Sequence, residues 1–323
     1  MKTKKLVLEL LVSHPGQYVS GEFLGNYLNL SRTAIWKAMN ELRNEGYTIE
    51  STTKKGYKYL PSERLSEEII MHYLAENTLI ETIRVVSESA STMSDAKLGG
   101  INGAENASLF VADMQTSAKG RFGREYFAQR NKGIYMSLLL HPNQTFENLP
   151  QYTVLTAVAV VQAIEKLTKK QAEIKWVNDI YIDGKKICGI LSEASGDVQT
   201  GEITSIIIGI GMNFSILQQD FPEELQEKAS SLFASGKPTI TRNELIAEIW
   251  NQFFALMTTD FIQLYKKRSF VLGKVVSFTQ GQKKEKGIAV DINNRGELIV
   301  ELPTGENITL YSGEISLESI EEK

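Results

Sequence analysis

Cysteine is almost absent from this chain. Cys188 stands alone among 323 residues, which excludes an internal disulfide and a cysteine-based zinc site. A cytoplasmic setting is the simplest expectation. Histidine is nearly as scarce: His14, His72 and His141 show no metal-ligand spacing and read as structural. No run of 18 apolar residues occurs, so no membrane span is expected. There is no G-x-S-x-G elbow, no G-x-G-x-x-G after a first strand and no G-x-x-x-x-G-K-[ST] loop. Serine-elbow, Rossmann and P-loop chemistry are therefore unsupported. An enzyme built from this inventory works by positioning and cationic stabilisation, without a protein nucleophile.

What is present is ordinary in bulk: 42% hydrophobic and 23% charged residues, enough chain for two or three domains. The net charge of −4 is unevenly spread. Residues 1–60 hold nine Lys/Arg against five Asp/Glu, a basic head on an acidic body that hints at an anionic partner for the head. The opening MKTKKLVLELLVSHPG resembles a signal peptide, but Glu9 breaks the apolar run and no small-residue cleavage site follows, so it reads as a helix.

Two short amphipathic stretches, KLVLELLVSHPG and SGEFLGNYLNL, precede a longer one, SRTAIWKAMNELRNEG. Ser20 and Ser31 are suited to N-caps and Gly46 to a stop. On the third helix Ile35, Ala38, Met39 and Leu42 share one face. Thr33, Lys37 and Asn40 point away, flanked by Arg32, Trp36 and Arg43. YTIESTTKKGYKYL follows as a hairpin with a Lys54-Lys55-Gly56 turn. This order predicts a winged helix-turn-helix, with DNA contacts from Ser31, Arg32, Thr33, Trp36, Lys37, Asn40, Lys54 and Lys55. A small helical domain with a hairpin that binds protein, or nothing, is the competing reading.

From about residue 80 to 270, β-rich runs (TIRVVSE, SLFVADMQ, GIYMSLLLH, EIKWVNDIYID, KKICGILSEA, SIIIGIGMNF) alternate with helical stretches, the last opened by a Thr241/Glu244 capping box. Successive strands without an intervening helix favour a mixed, largely antiparallel α+β sheet. Three clusters invite chemistry. The loop SAKGRFGREYF packs Lys119, Gly120, Arg121, Gly123 and Arg124 together. KWVNDIYIDGKKICGIL carries Lys175, Trp176, Asn178, Asp179, Lys185, Lys186 and Gly189. GIGMNF carries Gly209, Gly211 and Asn213. Taken singly, each has a plain reading as a solvated turn, a cap or a bulge. Together they supply cations for phosphates and glycines for close approach. Beyond residue 271, TQGQKK, NNRG and PTGE separate short strands and suit a small barrel.

In this order the motifs resemble those of the bifunctional biotin protein ligases, the biotin-operon repressor type. Ala118-Lys119-Gly120-Arg121 stands where that family has G-R-G-R, and Lys175-Trp176-Val177-Asn178-Asp179 where it has K-W-P-N-D. Lys186-Ile187-Cys188-Gly189 matches K-x-x-G, Gly209–Asn213 matches G-x-G-x-N, and Ser91-Thr92 matches an upstream S-T pair. Tyr126 stands where an aromatic, often tryptophan, is expected, and Val177 replaces a proline. The resemblance implies a class II synthetase-like catalytic fold and an SH3-like C-terminal barrel. The divisions expected are 1–62 winged helix, 63–80 linker helix, 81–270 catalytic domain and 271–323 barrel.

It further implies that biotin and ATP are joined to biotinyl-5′-AMP, with magnesium expected. Biotin then passes to a lysine of a biotin carboxyl carrier protein. The adenylate-bound homodimer represses an operator. By the same resemblance Lys186 and Arg121 are catalytic. Ser91, Thr92, Met93, Gln115, Lys119, Gly120, Arg121 and Lys186 hold biotin, and Arg121, Asn178, Asp179, Lys186 and Asn213 hold the nucleotide. Loop 117–127 is expected to act as a mobile lid, with Gly123 as hinge, and metal ligands are not fixed. A non-catalytic biotin sensor and a lipoate ligase are the alternatives.

Overall fold

The structure, a computed structural model, describes residues 2–142, 144–145, 149–196, 202–280, 283–311 and 313–317. The chain divides into two compact units, Met1–Leu74 with Ile240–Ala247, and Ala75–Thr239 with Glu248–Lys323.

The first unit begins with helices α1 (Lys2–Val12), α2 (Gly21–Leu28) and α3 (Arg32–Asn44). Both expected N-caps form: Ser20 Oγ accepts from Phe23 N–H at 3.0 Å and Ser31 Oγ from Ala34 N–H at 3.2 Å. Ile35, Ala38, Met39 and Leu42 are the buried face of α3 and meet Val7, Leu11 and Leu24 in one core. Strands β1 (Thr48–Thr52) and β2 (Gly56–Leu60) form the wing hairpin. A third segment joins it, because Val19 and Tyr57 exchange both backbone hydrogen bonds at 2.7 and 2.8 Å. Helix α4 (Glu67–Tyr73), read from the sequence as part of a linker, contributes Ile69 to this core.

The second unit is built on a mixed sheet of β3 (Thr82–Val86), β4 (Ser108–Ala112), β5 (Gly133–Leu140), β6 (Gln144–Thr145), β7 (Glu173–Lys175), β8 (Asp179–Ile182), β9 (Lys185–Gly196) and β10 (Glu202–Asn213). The order is β3-β4-β5-β10-β9-β8-β7, with β6 paired to β10. Among the strand pairs of the described residues only β3 and β4 run parallel. Helix α5 (Thr92–Ile101) packs on β4, β5 and β10. Helix α6 (Leu149–Thr168) packs on β9, its Thr153 hydroxyl donating to Ser192 Oγ at 2.8 Å. Strand alternation therefore splits β10. Ile206, Ile208, Ile210 and Met212 point to the α6 side, and Ile207, Gly209, Gly211 and Asn213 to the α5 side.

Helix α7 (Glu223–Gln226) precedes α8 (Arg242–Leu256) and α9 (Phe261–Arg268). The capping box forms: Glu244 Oε2 accepts from Thr241 N–H at 2.6 Å, and Thr241 Oγ1 from Glu244 N–H at 3.2 Å. The single helical stretch read there is in fact two helices. Thr259 donates both its N–H and its hydroxyl back to Leu256 O at 3.0 Å, closing the turn where the helix would continue. Likewise EIKWVNDIYID is two strands, so residues 176–178 become a turn.

The last part is an antiparallel sheet of β11 (Val275–Gln280), β12 (Lys283–Ile292), β13 (Leu298–Glu301), β14 (Asn307–Leu310) and β15 (Ile315–Leu317), ordered β14-β13-β12-β11-β15. The NNRG and PTGE turns place Gly296 and Gly305 at φ 82° and 84°. The TQGQKK turn crosses residues 281–282, outside the described residues.

Gly56 is the tightest point of the wing. Its φ is +99°, and a Cβ there would lie 2.2 Å from Val19 O. Gly56→Ala should destabilise the first unit by about 1–3 kcal/mol in urea denaturation. An unchanged midpoint would mean that the wing does not depend on this contact.

Candidate functional site

A cavity of about 550 Å³ opens on the α5 side of the sheet, within the second unit. Its floor is made by glycines. A Cβ on Gly209 would stand 2.5 Å from Met93 Sδ, and one on Gly211 would stand 2.6 Å from the Tyr126 ring. A Cβ on Gly189 would come 3.3 Å from Lys186 Nζ. Read from the sequence as bulges or as room for a ligand, these glycines in fact make room for three side chains of the site. Gly189 pairs with Gly211 across β9 and β10, Asp179 with Gly189, and Tyr135 with Gly211. The row Asp179, Gly189, Gly211, Tyr135 therefore crosses four strands with no side chain at its centre.

The end near α5 is polar and neutral. Gln115 Oε1 accepts from Thr92 N–H at 2.8 Å and from Thr92 Oγ1 at 3.2 Å. Thr92 Oγ1 also lies 2.8 Å from Ser137 Oγ. Gln115 thus lines the cavity with its amide oxygen committed to Thr92. Ser91 takes the N-cap position of α5 without a side-chain cap bond. Ser137 was not singled out from the sequence. Its signal was a polar residue inside GIYMSLLL, a strand buried along its whole length.

The opposite end is ionic. Lys186 Nζ lies 2.7 Å from Asp179 Oδ1. This pair is not aligned as a hydrogen bond, so Asp179 Oδ1 is a buried oxygen with a charge partner but no donor directed at it. Arg121 donates through Nη1 to Asn178 Oδ1 at 3.1 Å, and Asn178 Nδ2 donates to Ile190 O at 2.9 Å. Asn178 thus ties the loop arginine to β9. Burial draws the Arg121 pKa down, while Asp179 and Glu314 oppose that shift. Asn213 lines the cavity and spends its Nδ2 on Ser230 O at 3.0 Å. Lys119, Arg121, Arg124, Lys175 and Lys186 outnumber Glu125, Asp179 and Glu314 in the lining, which suits an anionic ligand.

The loop over the cavity is a small hairpin. Gly120 N–H donates to Arg124 O at 2.8 Å and Tyr126 N–H to Ala118 O at 3.1 Å. Phe122 and Gly123 turn it with φ of 57° and 74°. Among the described residues, a Cβ on Gly120 would meet only Arg124 O at 3.8 Å. Arg124 pairs with Glu314 at 2.5 Å. Burial raises the Tyr126 pKa well above its ordinary value, so the phenol is protonated. The turn after β7 is anchored by Trp176 Nε1, which donates to Gly296 O at 3.0 Å, and by Tyr265 OH, which donates to Val177 O at 3.1 Å.

All eleven ligand residues read from the sequence line this one cavity: Ser91, Thr92, Met93, Gln115, Lys119, Gly120, Arg121, Asn178, Asp179, Lys186 and Asn213. The nucleic-acid candidates lie in the first unit. Arg32, Thr33, Trp36, Lys37, Lys54 and Lys55 are exposed, Asn40 is half-buried, and the Ser31 hydroxyl serves as a cap. Lys58 and Tyr18 lie beside them: Lys55 and Lys58 hold their ammonium groups 5.5 and 5.4 Å from the Tyr18 ring. His141 lies between Thr204 O at 3.0 Å and Ala104 O at 3.2 Å, and Cys188 is buried with its thiol pKa pushed up. Among the described residues no group of three or more His, Cys, Asp or Glu could hold a metal, and no helix is long and apolar enough to cross a membrane.

A helix-turn-helix head, a mixed-sheet unit with a half-neutral, half-cationic cavity and a small terminal β-sheet define a class of ligase that carries its own DNA-binding head. Family models match in the same order: an HTH domain over residues 3–58, the biotin/lipoate A/B protein ligase family over 84–213 and the biotin protein ligase C-terminal domain over 271–318. The chain is 35% identical to the bifunctional ligase/repressor BirA of Bacillus subtilis, over 97% of this chain and 98% of that one. It is 25% identical to the Escherichia coli protein of the same description, over 99% and 100%. The biotin protein ligase of Aquifex aeolicus in complex with biotin and ATP superposes with a TM-score of 0.63 at 27% identity, covering 74% of this chain and 99% of that one. The chain belongs to the biotin/lipoate A/B protein ligase family.

The glycine floor yields a coupling prediction. Gly211→Ala should cost about 1–3 kcal/mol of stability through its overlap with Tyr126. In a Tyr126→Ala background, which removes the ring, it should cost clearly less. Equal costs in the two backgrounds in urea denaturation would refute the packing described.

Proposed function

We propose that this biotin protein ligase with repressor activity makes biotinyl-5′-AMP in the cavity and passes the biotinyl group to a carrier lysine. We propose also that the same adenylate governs operator binding by the head. The observation that carries the reading is the joining of two unlike ends in one cavity. Thr92, Gln115 and Ser137 are neutral hydrogen-bonding groups, and Lys186 and Arg121 are cations. The ureido ring offers one acceptor and two donors without charge, and it suits the first end. A carboxylate and a triphosphate suit the second.

In the first step a biotin carboxylate oxygen bonds to the α-phosphorus, the bond from that phosphorus to the bridging oxygen breaks, and pyrophosphate leaves. Lys186 lowers the repulsion between the two anions and follows the charge as it shifts, a role for a preorganised cation. Arg121 reaches the adenylate from the hairpin above. In the second step the carrier lysine nitrogen bonds to the acyl carbon, loses its proton, and AMP departs with the electron pair. We propose that the hairpin at 117–127 opens to admit ligands and closes to keep water from the mixed anhydride. Magnesium, when bound, would neutralise phosphate charge. Asp179, the carboxylate beside Lys186, would be the residue to hold it.

The setting proposed is cytoplasmic. Adenylate binding is proposed to promote homodimerisation, and thereby operator affinity, as a coupling between two sites. Arg32, Lys37, Lys54 and Lys55 would meet phosphates, and Thr33, Trp36 and Asn40 would face the groove.

Lys186→Ala should abolish biotin-dependent pyrophosphate release while the melting temperature stays close to that of the parent. Normal release by the folded variant would remove Lys186 from this role, and transfer of lipoate in place of biotin would overturn the substrate. Operator affinity, measured with and without biotin plus ATP, should rise with the adenylate. Its logarithm should fall with log salt at a slope of about −3 to −4 per head if all four cations meet phosphates. A flat salt response would exclude those contacts.

A further inference from the structure

The main chain of Lys186 is held from two sides. It pairs with Tyr181 on β8 and forms a parallel bridge to Ala229 on the other side. Lys186 N–H donates to Lys228 O at 3.0 Å, and Lys186 O accepts from Ser230 N–H at 2.9 Å. The bracket, residues 226–230, is not a regular strand, so its carbonyls need other donors. Side chains supply them. Gln218 Nε2 donates to Ala229 O at 3.0 Å and also to Gln226 O, while Lys185 Nζ donates to Gln226 O at 3.0 Å and Asn213 Nδ2 to Ser230 O at 3.0 Å. Gln218 alone of these serves two carbonyls, and one of them belongs to the residue that pairs with Lys186. It is half-buried and does not line the cavity.

We propose that Gln218 is a positioning residue for adenylate formation: its N–H₂ group fixes the 226–230 bracket, and the bracket fixes the main chain from which Lys186 reaches the transferring charge. The inference rests on the role given to Lys186 above. Adjacent lysines divide the work. Lys185 turns outward to secure the bracket, and Lys186 turns into the cavity toward Asp179.

The chemistry of the donor makes the inference testable in the full chain. Gln218→Glu keeps the shape but faces two carbonyls with a group that only accepts when ionised. Gln218→Leu removes the donor without a charge. Gln218→Lys restores donors on a longer stem. Adenylate formation would be followed in single-turnover reactions with biotin and ATP, beside thermal unfolding and a Lys186→Ala control.

Glu and Leu at 218 should slow the maximal rate about tenfold or more, the scale on which small misplacements of a reacting group are felt. The melting temperature should stay near the parent value. Lys should recover much of the loss, and the Glu variant should regain rate as the pH falls and its carboxyl becomes a donor. If folded Glu and Leu variants both adenylate at parental rates while Lys186→Ala is inactive, Gln218 has no positioning role. If Lys at 218 is as slow as Leu and the Glu variant shows no gain at lower pH, the donor mechanism fails. Normal adenylation by Lys186→Ala would instead refute the reading of Lys186, whatever the Gln218 variants do.

Discussion

Absent side chains set the geometry of this site. A β-sheet face normally presents a side chain at every second residue, and here three such positions, Gly189, Gly209 and Gly211, present only a hydrogen. Met93 from α5, Tyr126 from the loop and Lys186 from its own strand lie down on the sheet in those gaps. Restoring even a methyl group at Gly209 or Gly211 would put it well inside van der Waals contact with its neighbour. The position of the loop, of the first turn of α5 and of the Lys186 ammonium therefore all depend on the same bare patch. The cation and the neutral hydrogen-bonding cluster face one cavity because one patch seats both.

Around that patch, hydrogen bonds fix several side chains, while Tyr126 OH and Asp179 Oδ1 are buried without a hydrogen-bond partner. Asn178 holds Arg121 with one end of its amide and β9 with the other. Gln115 turns its oxygen to Thr92, and Thr92 reaches on to Ser137. Such networks fix side chains that would otherwise sample several rotamers, and in a partly buried site they are costly to leave half-made. The proposed chemistry, which uses no nucleophile from the protein, requires preorganised donors.

Much of this was legible where the cause is local. The Ser20 and Ser31 caps, the Thr241/Glu244 box and the left-handed glycines of the NNRG and PTGE turns each act within a few residues, and each is where the sequence put it. The buried face of α3 followed from spacing alone. The residues that line the cavity were legible through motif resemblance, although the positions of Asn178, Asn213 and the glycines relative to their neighbours were not. Met93 fills the space over Gly209 from a position 116 residues earlier, a meeting created by strand order and invisible to any window of sequence. Ser137 was hidden for the opposite reason: it sits inside an apolar strand and reads as an exception to it. The break between α8 and α9 was missed because Thr258-Thr259 does not interrupt an apolar pattern, whereas its hydroxyl chemistry does end a helix.

The three tryptophans occupy unlike surroundings. Trp176 and Trp250 are shut away from water, while the Trp36 indole is 60% exposed on α3. The head thus carries the one water-facing fluorophore of this kind, set among the groups proposed to meet DNA. A polar quencher in solution would reach it and spare the other two, and a ligand lying along α3 would shield it. The protein thereby contains its own optical reporter for events at the head, separable from changes around the cavity without any added label.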